Sequence, residues 1–432
     1  MFKSLATARP TAPRDEGQSG SAIQALDRPG AFSSSSLALD NLRGIVIVIV
    51  LGFHSALAYV NWVATPRVDF DSPPYDWRAF PIVDSHRFLG FDLFCAWQDV
   101  YLMSLMFFLS GLFVWPSLSR KTELCFVRDR VLRLGVPFAV GIMTIIPFAI
   151  YPAFRVTAID ASVAAYWHAL LALPFWPNGP LWFLWQLLVL NVIAAVAHSI
   201  APDAPRTLGR WSLVAGTRVA PFFVGIVAAS ALAYVPLAVA YTPWAWSDTG
   251  LFAFQWCRPL HYAVYFFAGV GIGAGGINRG LLAVDGALAR RWALWLAAAI
   301  ASLMLWMGLT SLTMNGGASM ATTIAADFSY ALACAASCLF LIAVSLYFCA
   351  KYSRILGTLA ASAYALYLLH YVFVVWLQYA LLGTPLPAVL KWAIVFSLTL
   401  LLSWITAATV RRVPFAAWLI GSPRHPLPKF AR

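Results

Sequence analysis

The stretch LDNLRGIVIVIVLGFH, residues 39–54, puts a guanidinium at one end of an aliphatic run and an imidazole inside it. As a helix it brings Arg43 and His54 onto nearly one face, about 16 Å apart along the axis. Asp40, three residues before Arg43, is spaced to orient the guanidinium. An imidazole screened from bulk solvent can serve as a base near neutrality, because its ordinary pKa already lies there. Buried His and Arg also serve proton relays. A second basic pair, Arg130 and Arg133, stands in FVRDRVLRLGVP (126–137), just before a helix that Pro137 would start. Basic forks beside a helix N-terminus suit a phosphate; the same charges also serve membrane topology.

Other polar groups reach a similar depth. SAYALYLLHYVF (362–373) holds His370 about as deep in its span as His54, with Tyr364, Tyr367 and Tyr371 on one broad side. NGPLWFLWQ (178–186) and RPLHYAVYFF (258–267) run the other way and bring Trp182, Gln186 and His261 into the same half. Gln98 and Asp99 join them from a further run. Each has an ordinary explanation: an interhelical hydrogen bond for a histidine, interface anchoring for Trp182 and the tyrosines, outward snorkelling for Asp99. Those explanations must hold jointly on five helices. An unpaired polar group in hydrocarbon costs several kcal/mol, so the groups are expected to face a shared wet cavity.

The elements that must position them are membrane helices. The chain has 432 residues, 61% of them hydrophobic and only 11% charged, with a mean hydropathy of +0.77. A soluble domain sits nearer half apolar and a quarter charged. The apolar runs are about 20 residues long and do not alternate, which predicts an all-α polytopic membrane protein rather than a barrel. Ten spans are expected, near 41–63, 93–117, 134–153, 179–200, 218–241, 258–278, 290–312, 324–350, 356–382 and 388–410. Residues 1–36, rich in Ser, Ala, Pro and Gly, lack a signal-peptide core and read as a disordered tail. Residues 37–412 form the membrane domain, and 413–432 a C-terminal tail.

The net charge of +12 does not indicate nucleic acid, because the basic residues cluster in short loops. With the N-terminus inside, only Arg67, Arg78, Arg87, Arg155, Arg258 and Lys391 of the 29 Lys and Arg fall in outer segments. Both termini are therefore expected in the cytoplasm. The first outer loop is acidic, and a second outer stretch, 155–178, contains a candidate interfacial helix.

The six cysteines form no CxxC pair and have no zinc-like histidine spacing, so neither a metal site nor a permanently bound cofactor is expected. Cys334 and Cys338 read as packing residues; Cys95 and Cys257 share the outer side, and a disulfide between them is left open. Gly271, Gly273 and Gly276 satisfy GxGxxG but follow no strand. With Gly269 and Gly275 they give the small-xxx-small spacing of close helix packing. Ser110 in MFFLSGLF lacks the GxSxG elbow of a nucleophile.

Taken in order, Arg43 with His54, MFFLSGLF (106–113), RDRVLRLGVP (128–137), GPLWFL (179–184) and SAYALYLLH (362–370) resemble the membrane acyltransferase family 3. Within it, the order and spacing look most like the branch that succinylates osmoregulated periplasmic glucans. Where such relatives often carry a His and an Arg before MFFLSGLF, this chain reads WQDVYLMSL, with Asp99 and Leu102. That departure leaves the acyl group and the acceptor open. The resemblance implies an acyl-CoA donor in the cytoplasm, an extracytoplasmic carbohydrate hydroxyl as acceptor, and an inner-membrane location. Arg43 and His54 match the family's essential Arg-His pair, and Arg130 and Arg133 its RxxR motif.

Acyl transfer from a thioester to a hydroxyl needs a base and a group to steady the oxyanion. His54 is the expected base, or else the nucleophile of a transient acyl-imidazole. CoA phosphates would rest on Arg43, Arg130 and Arg133, while His370, Trp182, Asp99, Gln186, His261 and Tyr367 would serve oxyanion or acceptor contacts. A transporter or flippase for a lipid-linked sugar, and a non-enzymatic scaffold, are the competing readings.

Overall fold

A computed structural model describes residues 34–63, 70–203, 207, 209–210, 218–247, 249–314 and 317–412. The two expected tails fall outside these residues, except that the first helix already begins at Ser34. Among the described residues, twelve α-helices of eight residues or more organise the fold. They are α1 (Ser34–Ala56), α2 (Leu89–Gly111), α3 (Glu123–Arg130), α4 (Val136–Thr157), α5 (Val163–Ala172), α6 (Trp182–Ile200), α7 (Val219–Tyr241), α8 (Arg258–Gly275), α9 (Trp292–Met314), α10 (Met320–Phe348), α11 (Arg354–Leu381) and α12 (Ala388–Val410). The sequence marks several starts with a hydroxyl that accepts from a backbone N–H of the first turn: Thr122, Ser162, Ser319 and Ser353.

Nine helical stretches among the described residues are long and apolar enough to cross a membrane, with α3 and α4 forming one stretch. They match nine of the ten expected spans. The tenth, expected at 258–278, is α8: 18 residues carrying Arg258, His261 and four glycines, and so less apolar than the rest. It nevertheless runs parallel to α2 over the same depth. Its start lies at Asp99 and its end at Leu112. The contact is as close as the glycine spacing predicts. A Cβ on Gly269 would sit 2.2 Å from the Phe108 carbonyl oxygen, and one on Gly273 2.1 Å from that of Leu112.

The bundle has two distinct ends. The described parts of loops 57–88, 158–181 and 242–257 gather at one of them, tied by Arg78 Nη1 to Ser247 O (3.2 Å) and Trp176 N to Gly250 O (2.9 Å). The short helix α5 belongs to this end. The opposite, basic end carries Arg43, Arg130 and Arg133. Both limits of the membrane domain lie there: Ser35 bonds Leu282 O, and Arg411 bonds Ala361 O.

Helix α1 is the centre, packed by α2, α10, α11 and α12. Gly44 lets α11 approach, since a Cβ there would lie 3.0 Å from Leu356 O and 3.1 Å from Ala360 N. Helices α7, α9 and α12 keep most of their apolar surface exposed, as lipid-facing helices do. Helix α4 contains Pro147 and Pro152. Pro152 lacks the N–H that would bond the Phe148 carbonyl, and Trp376 Nε1 of α11 supplies that bond instead at 3.0 Å.

The six cysteines are free thiols. Cys95 and Cys257 do not pair; Cys257 Sγ instead meets Pro243 O at 3.5 Å, and burial pushes its thiol pKa up. Cys334 and Cys338 are packed in the core as expected.

At the loop end, Asp84 of the first loop and Lys391 of α12 form an ion pair of 2.7 Å with both side chains at most 1% exposed. His86 Nδ1 lies 3.4 Å from the same ammonium. Removing one partner leaves a charge buried alone. Lys391→Met should therefore cost about 3 kcal/mol of stability, whereas the double replacement Asp84→Leu with Lys391→Met should recover most of it. Thermal unfolding of the detergent-solubilised protein, followed by tryptophan fluorescence, checks both.

Candidate active site

The parallel run of α1 and α11 brings His54 and His370 together at one depth, as the sequence predicted. Their rings are 4.9 Å apart between centroids, with His370 Nε2 3.3 Å from His54 Nδ1. Two backbone carbonyls decide the protons. His370 Nδ1 is 2.7 Å from Tyr367 O, and His54 Nδ1 is 2.9 Å from Val50 O. A carbonyl only accepts, so both Nδ1 atoms carry hydrogen. His370 Nε2 then accepts from His54 Nδ1–H, and the lone pair of a neutral His54 sits on Nε2. No hydrogen bond engages that atom among the described residues. His54 is half-buried, while His370 is fully buried. Gln378 Nε2 donates to the His54 carbonyl at 2.9 Å and holds the end of α1 against α11.

Arg43 lies at the basic end of the same helix. Nη1 donates to Asp40 Oδ1 (3.2 Å) and Nη2 to Leu109 O (3.4 Å), while the guanidinium covers the Phe113 ring at 4.1 Å. MFFLSGLF thus supplies a carbonyl and a ring that position Arg43. Its Ser110 turns back to Met106 O at 2.8 Å and has no nucleophile's setting. Arg130 covers Phe126 at 4.8 Å and feels the charges of both Arg133 and Arg43. Between α3 and α4 the backbone makes one π turn, Val131–Gly135, which contains Arg133. Such turns recur at functional positions. Tyr364 Oη fixes this turn by donating to Arg133 O at 2.6 Å. Three guanidinium groups therefore gather at the basic end of the bundle.

The remaining candidates divide. Tyr367 Oη donates to Pro180 O and holds the GPLWFL turn against α11. Trp182 stacks on Tyr262 at 5.8 Å, and both line a recess at the loop end with Gln186, Trp246, Gln255 and Arg258. Asp99 accepts from Arg258 Nη2 at 2.8 Å, so it is engaged within the fold. His261 bonds Ser230 Oγ at 2.8 Å, inside a cage of Tyr234, Tyr262, Tyr265 and Tyr330. No hydrogen bond or ring contact among the described residues joins His261 to His54 or His370. The single cavity expected from depth alone is thus two polar clusters.

Sequence reasoning passed over several groups. Arg258, counted as a loop charge, is 1% exposed and bonds Asp99 and Tyr330. Asp327, an acid inside apolar α10, lies within its electrostatic range. An acid and a base in two otherwise apolar runs were the available signal. A larger recess at the loop end includes Trp77, Arg78, Phe175, Trp246 and Tyr371, and nothing in the spacing of these residues joined them.

The model of the acyltransferase domain of acyltransferase family 3 matches residues 36–408, which include α2 to α11 and nearly all of α1 and α12. The chain belongs to that family, and it is a multi-pass membrane acyltransferase. Comparison with curated proteins and with solved structures gives no match.

The hydrogen-bond pattern makes one direct prediction. In neutral protein, nitrogen-15 NMR of labelled histidine should find His54 with a protonated Nδ1 and a bare Nε2. His370→Ala should keep that tautomer, since Val50 O still accepts from Nδ1–H; a shift of the proton to Nε2 in that variant would show that the second imidazole, not the carbonyl, fixes it.

Proposed function

We propose that the chain transfers an acyl group, acetyl or succinyl, from cytoplasmic acyl-CoA to a hydroxyl of an extracytoplasmic carbohydrate, with the loop end facing outward from the inner membrane. The observation that carries this reading is the paired imidazoles, which leave His54 Nε2 as a bare lone pair beside the loop end. Excess positive charge at the opposite end supports a cytoplasmic donor side, and Arg43, Arg130 and Arg133 there suit the phosphates of CoA.

The chemistry follows from that placement. The acceptor hydroxyl gives its proton to His54 Nε2 as its oxygen attacks the thioester carbonyl. The new C–O bond forms, the tetrahedral centre collapses, and the C–S bond breaks. The departing thiolate takes the proton back from Nε2, so the histidine ends as it began. While charged, His54 still has His370 Nε2 as acceptor for its Nδ1 proton. His370 is thus a positioning residue that spreads the charge without a carboxylate. Ile47 and Val50, on the face between Arg43 and His54, are at most 4% exposed. A pantetheine arm reaching the histidine must part helices at these side chains.

Two measurements test the scheme, using purified protein, radiolabelled acyl-CoA and a glucan acceptor. His54→Ala should lower label transfer by at least about 100-fold while the protein elutes and unfolds like wild type. Transfer at the wild-type rate would remove the proposed base. Arg130→Gln should raise the KM for acyl-CoA roughly tenfold with little change in kcat, since a charged hydrogen bond is lost. Transport of a lipid-linked sugar that needs no acyl-CoA would favour a flippase instead.

A further inference from the structure

Among the described residues, three aromatic rings contact the His54 imidazole: Phe53, His370 and Tyr371. Phe53 has nothing to donate. His370 is committed on both sides, with Nδ1 at Tyr367 O and Nε2 at His54 Nδ1. Tyr371 meets His54 edge-on at 5.7 Å between centroids and lies 6.3 Å from His370. Its side chain is buried, and no hydrogen bond among the described residues engages its Oη.

The neighbouring phenols are committed to structure. Tyr364 donates to Arg133 O, Tyr367 to Pro180 O, Tyr166 to Pro147 O and Tyr151 to Ala161 O. A buried hydroxyl left without a partner is costly, and such groups often mark a functional role. Two unfilled atoms, Tyr371 Oη and His54 Nε2, thus stand on contacting rings. The surroundings keep the Tyr371 edge open. Gly179 lies over it with a left-handed φ of 49°, and a Cβ there would be 3.1 Å from Cε1, the carbon next to the one that bears the hydroxyl. Asn178 fixes this turn by donating to Trp176 O and Leu251 O and accepting from Ala253 N. Tyr371 also lines the larger loop-end recess, whose free space is that of about one water molecule. That is room for a single oxygen atom.

A donor in this place has one task in acyl transfer. The thioester carbonyl gains charge on its oxygen in the tetrahedral state, and a fixed donor in an apolar site stabilises that charge more than the neutral carbonyl. The histidine pair cannot supply it. Both Nδ1 protons are already held by carbonyls, and His54 Nε2 must take a proton. We propose that Tyr371 Oη–H is the oxyanion donor. This rests on the acyltransferase reading and deepens it by assigning a second catalytic residue. As the acceptor oxygen adds to the carbonyl carbon, the C=O electron pair moves onto the carbonyl oxygen, which accepts from Tyr371. On collapse the pair returns, the C–S bond breaks, and the thiolate leaves with the proton from His54 Nε2. The phenol keeps its proton throughout.

The test compares wild type, Tyr371→Phe and Tyr379→Phe as full-length protein in nanodiscs, with radiolabelled acyl-CoA and a glucan acceptor. A fourth sample carries 3-fluorotyrosine at position 371, a more acidic phenol and a stronger donor. Tyr371→Phe should lower kcat by about 100-fold or more and leave the KM for acyl-CoA unchanged, since only the tetrahedral state loses a bond. Its unfolding temperature and the nitrogen-15 signature of His54 should match wild type. The 3-fluorotyrosine protein should turn over at least as fast as wild type. Tyr379→Phe, further along α11 against Trp376, should change nothing. Wild-type kcat in Tyr371→Phe overturns the assignment. So does a raised KM at constant kcat, which would make Tyr371 a binding contact, or a changed His54 signature, which would make it a support for the imidazole. A 3-fluorotyrosine protein as slow as Tyr371→Phe overturns it as well. Failure of the functional reading looks different: wild type itself transfers no label, and the donor role falls with it.

Discussion

The parallel contact between α1 and α11 is the constraint on which the site depends. It exists because Gly44 presents no side chain to the backbone of Leu356 and Ala360. Two helices that start at the same end and touch there keep their residues in step. His54 therefore meets His370, and further up Gln378 meets the carbonyl of His54. In hydrocarbon an imidazole without partners is costly. Each ring here uses a carbonyl of its own helix and the other ring, which satisfies three of the four nitrogens and leaves one available.

The segments that hold the candidate site are also joined to one another. Arg43 is held by the Leu109 carbonyl and the Phe113 ring, Arg133 by Tyr364 through its backbone, and the turn at Pro180 by Tyr367. Tyr364, Tyr367 and His370 follow at three-residue spacing on α11, so one helix face reads out the basic end, the loop turn and the histidine pair. A displacement of α11 would disturb all three together. The aromatic residues of that face are positioning devices before they are contacts for any substrate.

Asp99, Arg258 and the cage around His261 solve a different problem. They anchor α8 to α2, α7 and α10 at the depth where α8 is too polar to rely on lipid. The glycines at the other end of α8 solve the same problem by close approach. One helix is thus retained in the bundle by an ion pair at one end and by backbone contact at the other.

Composition, run length and the placement of Lys and Arg were enough to determine a helical membrane domain, the approximate limits of its spans and the shared depth of His54 and His370. Those properties depend on hydrophobic transfer and helix rise, which are local to each segment. The placement of Arg43 and His54 toward opposite ends of α1 was legible for the same reason. Depth, however, does not say which way a side chain points around the bundle. Only packing separated His261 from the histidine pair, turned Asp99 and Arg258 into partners, fixed the imidazole tautomers through two carbonyls and assembled a recess from three loops. Each of those outcomes depends on contacts between segments far apart in the chain, and no periodicity within a single segment encodes them.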